Sequence, residues 1–150
     1  MALNFFYYSN SESFDQYLKE IANIPHLSEE DEKALGVEAK KGNLEARDIL
    51  VNSLLKFVVS IARNYKNRGV ALEDLVSEGN IGLLYAVEGF DPNEGRLSTY
   101  SSYWIKKAIN DAIREKTGIT HTDMPTDRFD SYRIKMMALS LLCRNIGINI

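Results

Sequence analysis

Arg96 to Lys116 reads RLSTYSSYWIKKAINDAIREK, and the spacing of its apolar residues is that of a helix. At about 100° per residue, Ser101, Ile105, Ala108 and Ala112 fall within about 60° of one another. That narrow stripe is fit to pack on other helices. Tyr100, Tyr103, Lys107, Asn110 and Arg114 fall on the opposite face, with Trp104 at its margin. Aromatic rings interleaved with cations suit a single-stranded nucleic acid. Flat rings stack on bases at ~1–3 kcal/mol each, cations meet phosphates, and an amide reads a base edge. The same tyrosines would serve equally well packed under a neighbouring loop, and the wheel does not choose between the two.

Working outward, nearly every stretch has helical periodicity. Phe14, Tyr17, Leu18 and Ile21 predict a short first helix ending before Pro25. Ser28 with Asp31 three residues on resembles a capping box, and the helix it opens is expected to stop at Gly42. Asn43 caps a third helix carrying Ala46, Leu50, Leu54, Phe57, Val58, Ile61 and Tyr65, with Gly69 as its left-handed stop. A fourth runs from near Glu73 to Gly89, and Asp91 to Gly95 form a turn. Ser98 or Thr99 is expected to cap the fifth helix. A polar stretch then leads to a last amphipathic helix near Phe129 to Asn145. No β-alternation competes, so the predicted class is all-α, a compact bundle of about five to six helices.

The 150 residues, 45% hydrophobic and 26% charged, suffice for one ordinary domain and a short appendage. No apolar run approaches a membrane span, and the N-terminus lacks the features of a secretory leader. The single cysteine, Cys143, fits a reducing cytoplasm. His26 and His121 stand apart, so neither a metal site nor a cofactor is expected. The net charge of −3 hides a segregation. Residues 1–55 hold ten acids and five bases, and Lys56, Arg63, Lys66 and Arg68 follow without an acid. Six acids and no base occupy Glu73 to Glu94; five bases and two acids occupy Arg96 to Lys116. Separate blocks point to separate surfaces for separate partners.

The fourth helix is expected to bury Leu75, Val76, Gly79, Leu83, Ala86 and Val87. Its outer side then mixes Asp74, Ser77 and Glu78 with Ile81 and Tyr85. That pattern is either a protein-docking face, anchors flanked by charge, or an acidic face with two stray apolar residues. No histidine, lysine or metal-ligand cluster stands near those acids at catalytic spacing, so enzymatic chemistry is not expected.

Leu54 to Ile113, LLKFVVSIARNYKNRGVALEDLVSEGNIGLLYAVEGFDPNEGRLSTYSSYWIKKAINDAI, closely resembles primary-type bacterial RNA polymerase sigma factors. Ser13 to Gly42 resembles, more weakly, the region preceding it in that family. The resemblance implies a core-binding and promoter-melting domain over residues 12–116. Residues 1–11 would be a tail, and 117–150 a linker and the start of a helix for extended promoter elements; Arg128, Arg133 and Lys135 there could touch phosphates, but scattered bases on an amphipathic helix fit an ordinary surface helix better. It implies that Asp74, Ser77, Glu78 and Asn80, with Ile81 beside them, bind the clamp coiled coil of the polymerase's largest subunit. Phe90, Tyr100 and Tyr103 would line the pocket for a flipped non-template base of the minus-ten element. Trp104 would stand beside the last intact base pair. Lys107 and Asn110 would touch the first pair, with Arg114 beyond them and Lys56, Arg63, Lys66 and Arg68 available to the DNA backbone. A further chain or domain would supply minus-thirty-five recognition.

This sequence departs from the family's pattern at several positions. Ser77 stands where most relatives have glutamine, Leu54 replaces a pocket asparagine, and Glu94 stands where a base is usual. The loop between Gly95 and Leu97 is one residue short, and Lys107 with Asn110 is not the commonest pair. These departures sustain a rival expectation: a regulatory decoy that occupies the polymerase clamp, or a regulator, without opening DNA.

Overall fold

The computed structural model describes residues 11–118, which form six helices and, among those residues, no strand. The expected last helix, and with it Cys143, His121, Arg128, Arg133 and Lys135, lies outside the described residues, as does the tail through Asn10. The helices are α1 (Ser11–Ala22), α2 (Glu29–Lys40), α3 (Leu44–Ser53), α4 (Leu55–Arg63), α5 (Leu72–Gly89) and α6 (Leu97–Thr117). The all-α expectation holds, and no described helix is long and apolar enough to cross a membrane.

Local chemistry starts α2 and α3 as expected. The Ser28 hydroxyl accepts the Asp31 N–H at 3.1 Å, and Asn43 accepts the Ala46 N–H at 3.2 Å. Each satisfies one of the first-turn donors that has no partner inside the helix.

The single helix expected from Asn43 to Gly69 is instead two. The Ser53 hydroxyl donates to the Leu50 carbonyl at 2.6 Å, and the Leu54 N–H bonds to Val51 at 3.1 Å. The chain breaks at Leu54 (φ −112°, ψ 8°) and restarts as α4. The second half also ends early: Asn64 and Tyr65 make i−3 bonds, and both Asn67 (φ 64°) and Gly69 (φ 91°) are left-handed.

The break lets both halves bury their apolar sides. Leu50, Leu55, Val58, Ile61 and Ala62 meet Leu75, Val76 and Leu83 of α5 and Ile105, Ile109 and Ile113 of α6 in one core. Phe14, Tyr17 and Ile21 of α1 close it.

α5 and α6 pack most extensively, and two glycines of α5 let α6 and α4 approach it, Gly82 for α6 and Gly79 for α4. A Cβ on Gly82 would stand 2.4 Å from the Trp104 carbonyl oxygen, and one on Gly79 would stand 2.7 Å from a Val58 methyl. Between the two helices the Asp91 carboxylate accepts the Asn93 N–H at 2.9 Å, an Asx turn on the predicted residues.

The start of α6 departs from expectation. Neither Ser98 nor Thr99 caps it, and the N-cap residue Arg96 makes no side-chain cap bond. Glu32 of α2 does so, its carboxylate accepting the Leu97 N–H at 2.8 Å and the Arg96 Nε–H at 3.1 Å. Arg96 also reaches the Leu27 carbonyl at 3.3 Å.

Candidate nucleic-acid and polymerase interface

α6 carries an aromatic ridge. Tyr100 and Tyr103 are exposed at 37% and 42%, while Trp104 between them is half-buried. Trp104 meets Tyr103 edge-on at 5.1 Å between centroids, Tyr100 at 6.3 Å and Tyr85 of α5 at 4.3 Å. Phe90, at the end of α5, is buried and lies 6.4 Å from Tyr100. Five rings from two helices and one turn are thus contiguous, with two of them open to solvent. The edge-to-face arrangements fix ring orientation at roughly 0.5–1.5 kcal/mol per pair. The expected exposure of the two tyrosines is what the structure has; Phe90 lies beneath Tyr100 as its floor.

Two expectations need correction, one on each helix. On α6, Lys107 is not on an open face: it is 4% exposed, and its Nζ lies 5.6 Å from the Trp104 ring centroid. Its ammonium lies on the Trp104 ring, which also meets Tyr85 of α5, and α5 crosses close to the α6 backbone at Gly82. On its other flank the apolar stripe is wider than expected, taking in Ile109 and Ile113. Asn110 and Arg114 remain half-buried.

Asp111 stands outside the residues that the sequence pattern singles out. It is 9% exposed and takes a short hydrogen bond from Arg114. Burial pushes its carboxyl above the ordinary value, against the opposite pull of Arg114 and Lys107. A signal does exist in the spacing: a lone carboxylate four residues after one base and three before another.

On α5, Asp74 is exposed and Ser77, Glu78, Ile81 and Tyr85 are half-buried, so these five do share an outer face. Ile81 also packs against the core, and Asp74 faces Lys116 of α6 at 3.6 Å. Asn80 does not belong with them, which is the second correction. It is 1% exposed, and its Nδ2 donates to the Tyr17 hydroxyl at 3.1 Å. Its position turns inward, where the amide ties α5 to α1.

Leu54 is buried at the helix break, and Glu94 is exposed in the turn. Arg63, Lys66 and Arg68 are exposed, Arg68 lying over the Tyr65 ring at 5.0 Å, and Lys56 is half-buried. Among the described residues no group of three His, Cys, Asp or Glu side chains could hold a metal ion.

Residues 50–118 match the family model of sigma-70 region 2, and residues 12–45 match that of sigma-70 factor region 1.2. The chain belongs to the sigma-70 family. It is similar to the RNA polymerase sigma factor SigA of a Bacillus species, 46% identical over 101 residues. The same figures hold for SigA of Clostridium acetobutylicum. In each case the match covers 67% of this chain and 27% of the relative, so the chain spans about a quarter of the length of the curated relatives it matches. The region 1.2 match contains Glu32, and the region 2 match contains the whole aromatic ridge and the outer face of α5. The contact between Glu32 and the start of α6 therefore joins the two sigma-70 regions.

Proposed function

We propose that this chain recognises and opens promoter DNA as part of a sigma factor, with no covalent chemistry of its own. In this reading residues 12–116 are the core-binding and promoter-melting domain, and 117–150 lead toward further promoter contacts. Asp74, Ser77, Glu78 and Ile81 on α5 dock on core RNA polymerase at the clamp coiled coil of its largest subunit. Tyr100 and Tyr103 take up unstacked non-template bases of the minus-ten element. Trp104 stands at the upstream edge of the bubble, and Asn110 and Arg114 lie beside the adjoining duplex. Arg63, Lys66 and Arg68, with Lys56, run along the backbone.

The observation that carries this reading is the pair of exposed tyrosines held on an aromatic floor, buried Phe90 and half-buried Trp104, in a chain of the sigma-70 family. Opening exchanges duplex stacking for stacking on protein rings. Rings already oriented by their neighbours lose little entropy when a base arrives.

The test is a transcription reaction with core polymerase, promoter DNA and this chain. Permanganate-reactive thymines in the minus-ten element, appearing only when the chain is present, are the expected result. Binding to core polymerase without any opening would favour the decoy.

A further inference from the structure

The ridge on α6 continues past its rings into charge. Trp104, Lys107, Asp111 and Arg114 follow at spacings of three, four and three, which puts them on one stripe of the helix. Both cations there are engaged. Lys107 is buried against the indole of Trp104, and Arg114 bonds to the Asp111 carboxylate. Asp111 lies between them, near enough for both charges to act on it.

A carboxylate beside a DNA-binding surface repels phosphate, and one that is also buried is costly to keep. Its position nonetheless suits a specific role. Asp111 is the only acid between Leu97 and Arg114, and it stands between two cations at helical spacing.

We infer that Asp111 is a positioning and specificity-determining residue, an internal counter-ion that withholds Arg114 from DNA phosphates. Ring stacking rather than charge then governs binding along α6. This inference rests on the proposed promoter-opening role and deepens it. Each phosphate neutralised by a protein cation adds about 0.9 to the slope of log affinity against log salt, without regard to sequence. A cation held by Asp111 is lost to that sequence-blind term, so discrimination between a promoter and other DNA rises at the expense of raw affinity.

The test uses the full chain with two fluorescein-labelled duplexes of equal length, one carrying a minus-ten sequence and one scrambled. Asp111→Asn keeps the shape of the side chain and removes its charge. The expected result is a salt slope steeper by about 1, with tighter binding to the scrambled duplex and a smaller preference for the promoter. Asp111→Glu is expected to restore the wild-type slope. Unchanged slope and affinity in Asp111→Asn, including no measurable binding by either protein, overturn the inference.

Should Asp111→Asn fail to fold, the smaller neutral Asp111→Ser is read on the same two duplexes. A salt slope steeper by about 1 is expected, and an unchanged slope overturns the inference. Failure of the promoter-opening role is read separately, as the absence of permanganate-reactive thymines with core polymerase, which leaves the salt slope of the chain alone untouched.

Discussion

The Glu32 carboxylate caps the helix that begins at Leu97, accepting its N–H at 2.8 Å across 65 positions of sequence. Glu32 is 4% exposed, and its second role is the ion pair with Arg96. A carboxylate at a helix N-terminus is favoured by the unpaired N–H groups and by the macrodipole. Because Tyr100 lies one turn further on, this bond helps set where the aromatic ridge begins. Glu32→Gln keeps the size of the side chain and removes the charge, and is expected to lower stability by about 1–2 kcal/mol. Hydrogen exchange is expected to show the loss first at the amides of Leu97 to Tyr100. Uniform loosening of the whole bundle would argue against a local capping role.

The exposed tyrosines separate folding from function. Tyr103→Ala is expected to change stability by less than about 1 kcal/mol, as for an ordinary surface position. Tyr100→Ala is expected to cost slightly more, because that ring also contacts Phe90 and Trp104. The double variant is expected to lose ~2–6 kcal/mol of stacking on two bases, and so to abolish permanganate reactivity while still binding core polymerase. Thermal melting alongside the permanganate assay checks both halves.

Gly82 sets the distance between α5 and α6. Its missing Cβ would stand 2.4 Å from the Trp104 carbonyl oxygen, so Gly82→Ala must push the two helices apart. The expected cost is about 1–3 kcal/mol by overpacking. Lys107 is expected to become more exposed as the gap opens. Trp104 fluorescence should shift to longer wavelength in the same variant. An unshifted spectrum with unchanged stability would mean that the helices do not cross there.

Asp74 and Glu78 are expected to carry polymerase docking. Replacing both with alanine should weaken pull-down of core polymerase, each contact being worth ~1.5–3 kcal/mol where desolvated. Asp74 also faces Lys116 at 3.6 Å in an exposed pair, whose loss should hardly change folding. Wild-type pull-down by the double variant would remove the α5 face from the interface.

Asp111 predicts a pH signature. Its carboxyl is raised above the ordinary 3.8, first by burial, so the folded protein holds that proton more tightly than the unfolded chain does. The stability this contributes is fully present below pH 3.8 and is lost as pH rises through the folded value. Asp111→Asn cannot titrate, so the difference in urea stability between variant and wild type should change with pH across that interval and level off above it. A pH-independent difference would place Asp111 in a solvated setting.

Much of this protein is legible in its sequence, for a local reason: helix periodicity, caps and turn residues act within a few positions of themselves. Ser28, Asn43 and the Asp91 turn behave as their chemistry requires, and the apolar stripes of the expected fourth and fifth helices do face the core. The exposure of Tyr100 and Tyr103 follows from the same wheel.

What only the tertiary structure decided lies where two helices meet. A wheel divides one helix into faces, but a neighbour's approach decides where burial ends. Lys107, exposed on the wheel, is buried against the Trp104 indole, which Tyr85 of α5 meets edge-on. Asn80, one helical turn from Val76 and from Leu83, already turns inward on the wheel, but only the packing of α1 brings the Tyr17 hydroxyl to its amide. The break at Leu54, where the backbone leaves helical geometry and the N–H bonds to Val51, is not resolved by spacing alone. At the start of α6 the nearby hydroxyls are the natural local caps, and nothing in the neighbouring sequence announces a carboxylate arriving from α2. Patterns in sequence thus settled which residues form helices and which way most of them face. The pairing of buried charges and amides was settled by distances that exist only once the helices are packed.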